Sequence, residues 1–235
     1  GLSSNHLTMG SMLGKISEET PRFRLVRKYA DFELRHYEPR VVSEFTYFPE
    51  QGEDTGLAFK SLARYIGVFA TPENTGAGSP TPIAMTAPVV MGGAPAPIAM
   101  TAPVVVQAAG NGLPVMDKGK DLSAEELRQR GPQAMQFNLP SKYTMATAPA
   151  PTNPRVVLKE VPAKYVAALT FSGSFTQRAI DAKGTALLQA AKREGLAVQG
   201  PYYCAGFNPP WTPPPLKTNE VYVDVHVAEE PSPQP

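Results

Sequence analysis

Proline sets the first limit on this chain. The sequence holds 26 prolines, which cluster at 80–103, 140–154 and 209–215. Proline fixes φ and lacks an amide hydrogen, so these regions cannot be the interiors of helices or central strands. Regular structure must come from the stretches between them. Two of those have helical periodicity. Over 54–66, Phe59, Leu62, Ala63 and Ile66 fall at i, i+3, i+4 and i+7, and Gly67 stands where the helix should end. Over 175–194, Ile180, Leu187, Leu188 and Ala191 mark one face, with Ser174 or Thr176 placed to cap the start and Gly195 to close the end. A shorter helix is predicted from Ser123, whose spacing to Glu126 is that of a capping box.

The remaining segments read as strands. Val221, Val223, Val225 and Val227 alternate with Glu220, Tyr222, Asp224 and His226, a half-buried pattern that leaves His226 in solvent. Segments 32–37, 41–48, 134–139, 155–161 and 165–171 are further strands. Their order contains an echo: a strand pair (32–48), helix 54–66 and an extended segment, then a strand pair (155–171), helix 175–194 and strands 200–208 and 219–227. This predicts one α+β domain over 15–228, a curved, mostly antiparallel sheet or distorted β-barrel flanked by two main helices, in two pseudo-twofold halves. Residues 1–14 read as a disordered leader or expression remnant and 229–235 as a disordered tail. The nonapeptide PIAMTAPVV occurs at 82–90 and again at 97–105, a tandem duplication of which one copy fills a given sheet position.

Composition excludes several functions. Net charge is +1, and the densest basic cluster, Arg22, Arg24, Arg27 and Lys28, is interrupted by Phe23, Leu25 and Val26. That fits a half-exposed strand better than a nucleic-acid stripe. No apolar run approaches the roughly 20 residues of a spanning helix. Cys204 is alone, so there is no internal disulfide and no Cys/His zinc set, which fits a reducing compartment, the cytoplasm or alternatively the chloroplast.

Motifs for nucleotide, metalloprotease or serine-hydrolase chemistry are missing. Period two places His36 on the strand face of Phe32 and Leu34, where a neutral imidazole can ligate haem iron or serve as a hydrogen-bonded core histidine. Met85 and Met100 offer thioethers but are foremost packing residues. On helix 54–66, Lys60 and Arg64 flank the apolar face, as a flat hydrophobic ring with two carboxylates would require and as ordinary solvated flanks also would.

Together the motifs resemble the SOUL/haem-binding protein family. The matching segments are FELRHYEPRVV (32–42), IAMTAPVV (83–90 and 98–105), MQFNLPSKYTM (135–145), RVVLKEVP (155–162), FSGSF (171–175), GPYYCAGFNPPWTPP (200–214) and NEVYVDV (219–225), with LPSKYT closest to plant and algal members. The resemblance implies a distorted barrel with two helices and a haem- or porphyrin-binding protein without an assigned catalytic activity. It implies two modes among members: in some a histidine in the position of His36 ligates the iron, and in others haem lies in an apolar cleft on the first helix, here at Phe59, Leu62, Ala63 and Arg64. A haem against that helix would pair its propionates with Arg64 and with Lys60 or Lys217. Tyr203, Phe207 and Trp211 would form an aromatic wall. The expected function is a tetrapyrrole carrier or buffer, for haem, another porphyrin or a chlorophyll derivative. Its rivals are an interaction module docking a protein through the Pro-rich 80–103 region, and an enzyme acting on a tetrapyrrole. The doubled MTAPV segment departs from the family pattern close to the implied cleft.

Overall fold

A computed structural model describes residues 18–68, 70–76, 78–93, 113, 115, 121–208 and 212–227. The expected leader and tail, the second PIAMTAPVV copy, Met100 and Trp211 lie outside them. Among the described residues the strands are β1 (Phe23–Lys28), β2 (Glu33–Tyr37), β3 (Arg40–Tyr47), β4 (Asn74–Thr75), β5 (Val89–Gly93), β6 (Gln133–Asn138), β7 (Ala150–Pro151), β8 (Val156–Val161), β9 (Lys164–Phe171), β10 (Ala197–Gly206) and β11 (Asn219–His226). The helices are α1 (Thr55–Ile66), α2 (Ala124–Arg130) and α3 (Gln177–Arg193). All three sit where periodicity and capping signals put them. The Asp54 carboxylate accepts from the Leu57 N–H at the start of α1, and Thr176 does the same for Ala179 at α3. Ser123 and Glu126 make the full capping box of α2.

Nine strands form one antiparallel sheet in the order β1-β2-β9-β11-β10-β5-β6-β3-β8, and β4 pairs with β7. Exchanging β2, β3, β5 and β6 for β8, β9, β10 and β11 reproduces the same order from the other end, with β1 left over. The expected barrel is corrected: β1 and β8 end the sheet, each bonded to one neighbour, so the sheet is not closed. Charged side chains and a register irregularity between Leu25 and Arg27 protect the β1 edge, as open edges require. The first PIAMTAPVV copy takes a sheet position, because β5 lies between β10 and β6.

Both main helices pack on the same face, α1 over β3, β6 and β8 and α3 over β9, β10 and β11. Leu62 and Ala63 of α1 and Ile180, Leu187 and Ala191 of α3 are fully buried there. Each large aliphatic so placed contributes about 1.5–3 kcal/mol. The opposite face is apolar only in part. Val166, Ala168 and Ala205 surround a buried network in which Arg35 donates to both Glu220 oxygens at 3.1 and 3.0 Å and to Glu33 at 2.9 Å. Tyr222 also donates to Glu220, so β2 is tied across β9 to β11.

Candidate functional site

The α1 wheel divides the side chains that the sequence groups together. Leu62 and Ala63 point into the sheet and are completely inaccessible. Phe59 is half-buried, its ring edge-on to Phe137 at 5.4 Å. Lys60 and Arg64 point outward into solvent with Leu57, within about 60° of one another on the wheel. One flat ring cannot touch both sides, so only the outward strip is open to a ligand.

Apolar residues reach the surface at two kinds of place. Seven large apolar residues are exposed among those described. Three belong to the edge strands β1 and β8: Phe23, Leu25 and Val157. The other four are Leu57 on the first turn of α1 (38% exposed), Val68 just past the Gly67 cap at its other end (45%), and Met85 (36%) and Met145 (45%) on segments bonded near that same end. The segments carrying the two methionines are tied to the end of α1. The Ile83 N–H donates to the Ile66 carbonyl at 3.0 Å, and the Tyr65 hydroxyl donates to the Pro149 carbonyl at 2.8 Å. Asn74 braces the same corner, its amide donating to the Tyr65 and Thr81 carbonyls at 2.7 and 2.9 Å.

The cations beside this surface are differently placed. Lys60 is exposed, whereas Arg64 lies 3.7 Å from the Glu73 carboxylate. Lys217 follows the turn Pro214–Leu216 that leads into β11, the strand under α3. The structure therefore groups Lys60 and Arg64 and seats Lys217 in the other half.

His36 also stands apart from the strip. In the ladder it lies between Arg24 of β1 and Tyr165 of β9, half-buried, with its ring 4.5 Å from that of Tyr165. Tyr203 packs with Tyr222 at 5.3 Å on the face away from the helices, and Phe207 joins the same cluster. They line the polar face rather than α1. There the Tyr203 hydroxyl donates to Asp224, and burial holds the phenols of Tyr203 and Tyr222 well above their usual range. Burial likewise pushes the Cys204 thiol up, on β10 beside Met91 of β5.

A cavity of about 200 Å³ opens beside the β2–β3 turn, bordered by Arg22, Pro39, Arg40, Thr86, Asn138 and Tyr143. Three of the segments that carry the family resemblance meet there. Sites for drug-sized ligands occupy about 300–1,000 Å³, so this one admits waters or a small ion and not a macrocycle. The outward side of α1 carries Leu57 with the two cations Lys60 and Arg64, all exposed. The exposure of Leu57, Val68 and Met145 was not anticipated from the sequence. The signal for Leu57 was present, since it is an apolar residue on the polar side of an amphipathic helix.

Comparison with known proteins agrees with the resemblance. The family model described as "SOUL heme-binding protein" matches residues 18–224. No curated protein matches the sequence. Among solved structures, a hydrolase from Listeria innocua is 13% identical, with a TM-score of 0.49 over 84% of this chain and 94% of its own. The C-terminal domain of EcmrR is 10% identical, with a TM-score of 0.48 over 82% and 95%. Likenesses of this size carry no functional inference.

Proposed function

The chain belongs to the SOUL haem-binding protein family, and from that premise we propose that it carries or buffers a tetrapyrrole, haem foremost, on the outward strip of α1. One observation carries the placement: four of the seven exposed large apolar side chains gather on α1 and the segments bonded to its end. A single exposed leucine is ordinary, but several exposed apolar side chains along one helix and at its end, with cations beside them, suit a binding surface. Leu57, Val68, Met85 and Met145 would cover one face of the ring, and Lys60 and Arg64 would meet its propionates. Arginine does so with a fork that matches a carboxylate. Haem would bring its own iron chemistry; the chain supplies the platform and the charges. His36, packed against the ring of Tyr165, has a structural part in this reading. The same platform suits other porphyrins and chlorophyll derivatives that carry carboxylates. We further read the palindromic strand order as a duplication of a four-strand, one-helix unit.

A hemin titration followed in the Soret region tests this. The wild-type chain should bind saturably at one to one. Leu57→Glu, which puts a like charge against the ligand's carboxylates, should weaken binding at least about tenfold, or roughly 1.4 kcal/mol. His36→Ala should bind as the wild type does. Undiminished binding by Leu57→Glu would move the ligand off α1, and a shifted band in His36→Ala would make that histidine an iron ligand.

A further inference from the structure

The contact between Arg64 and Glu73 has a meaning if α1 holds a carboxylate-bearing ring. Past Ile66 the chain turns through Gly67, at φ 86°, and folds back along the helix end. A Cβ on Gly67 would fall 2.5 Å from the Pro72 ring, so this return is closely packed as well as left-handed. It ends with Glu73 fixed by its own main chain: its N–H donates to the Arg64 carbonyl at 2.9 Å, and its carbonyl accepts from the Thr152 N–H at 3.0 Å. The Glu73 side chain then stands 3.7 Å from the Arg64 guanidinium, with 48% of the arginine and 37% of the glutamate side chain exposed.

The pair is therefore loose, solvated and held in register by the backbone rather than by its own attraction. Exposed pairs of this kind are worth at most about 1 kcal/mol. Lys60, one turn earlier on the same strip, has no ion pair among those described. The two cations differ in what they offer an incoming anion: Lys60 is available, and Arg64 must exchange one carboxylate for another.

We propose that Glu73 is a built-in competitor for the ligand's carboxylate and so sets the strip's affinity and selectivity for dianionic rings. This rests on the placement of the ligand on α1. A ring with two propionates recovers at Arg64 what the displaced Glu73 gave up and gains at Lys60. A ring with esterified propionates has nothing to offer Arg64 and leaves the Glu73 contact in place. Glu73 thus trims the affinity for the charged ligand while leaving that for an uncharged one unaltered, which keeps binding reversible, as a carrier needs.

The test compares hemin with hemin dimethyl ester on the wild-type chain, Glu73→Gln, Arg64→Gln and the double variant. The main-chain bonds that fix residue 73 survive the substitution. Glu73→Gln should tighten hemin about threefold to fivefold, the conversion of up to about 1 kcal/mol, and leave the dimethyl ester unchanged. That gain should vanish when Arg64 is already glutamine. If the wild type binds hemin and Glu73→Gln changes neither ligand, or both equally, the competitor role is wrong and the α1 placement stands. If the wild type shows no saturable hemin binding, the carrier reading itself fails, and the competitor with it.

Discussion

The helices α1 and α3 hold equivalent places in the palindromic strand order, and their outward sides could hardly differ more. Each follows the matching strand of its half, β3 or β9, and buries an aliphatic face on three strands. Toward solvent, α3 presents Arg178, Lys183, Gln189, Lys192 and Arg193 with small Ala182 and Ala186 between them. α1 instead presents Leu57 beside Lys60 and Arg64, and exposed Val68 follows its Gly67 cap. The inward faces agree because the same sheet geometry dictates both. The outward faces are under no such constraint, so apolar surface retained on one of them costs solubility without stabilising the fold. α3 shows what a helix in this position needs for folding; in the proposed reading, the exposed apolar residue on α1 is there for the ligand.

The comparison breaks most visibly in the core. Leu62 and Leu187 are both fully buried, so Leu62→Ala and Leu187→Ala should each cost about 2–5 kcal/mol in urea unfolding. Only the first should disturb a ligand on α1. A large loss for one and almost none for the other would mean that the halves are not equivalent supports. Next in size is the close approach of α3. A Cβ on Gly184 would lie 2.4 Å from the ring of Tyr202, which is buried and held by its hydroxyl on Asp181 at 2.7 Å. Gly184→Ala should therefore destabilise by about 1–3 kcal/mol, against the gain in helix propensity that alanine normally brings. A raised Tm would show that α3 has room to move off the sheet.

The smallest effect concerns the entry to α1. Arg155 donates to both oxygens of Glu53 at 2.9 and 2.8 Å, and these bonds hold the Glu53 carboxyl below its usual value. A carboxyl lowered in the folded state stabilises above its ordinary range, and that contribution is lost as pH falls through the folded value. The pair is partly exposed, so Glu53→Gln should cost only about 0.2–1 kcal/mol at pH 7, and that cost should fade as acid protonates the carboxyl. A cost that persists in acid would assign the effect to packing instead.

The fold was legible in the sequence where a local signal suffices. Asp54, Thr176 and Ser123 act as caps, and the apolar spacing of 54–66 and 175–194 gave both main helices to within two residues at each end. The valine alternation of β11 was equally plain, and His226 is exposed as expected. Its polar side was not. Glu220 and Tyr222 are buried because Arg35, 185 residues from Glu220 in sequence, reaches them across β9. A pairing at that separation leaves no mark in either segment alone. The open sheet was hidden for a similar reason, since closure depends on whether β1 and β8 meet. For the candidate site, the buried face of α1 could be read, and with it the outward position of Lys60 and Arg64. The places of Met85 and Met145 could not, because they arrive on segments joined to α1 only by tertiary hydrogen bonds.

The central claim is the location of the ligand on the outward strip of α1, and the paramagnetism of ferric hemin gives the most direct measurement. Amide resonances of the isotopically labelled chain should broaden on hemin addition around residues 56–68, 83–86 and 144–146, and those of α3 and of the β2–β9 ladder near His36 should stay sharp. Broadening centred on His36 and Tyr165, or on the Arg35–Glu220 face of the sheet, would contradict it.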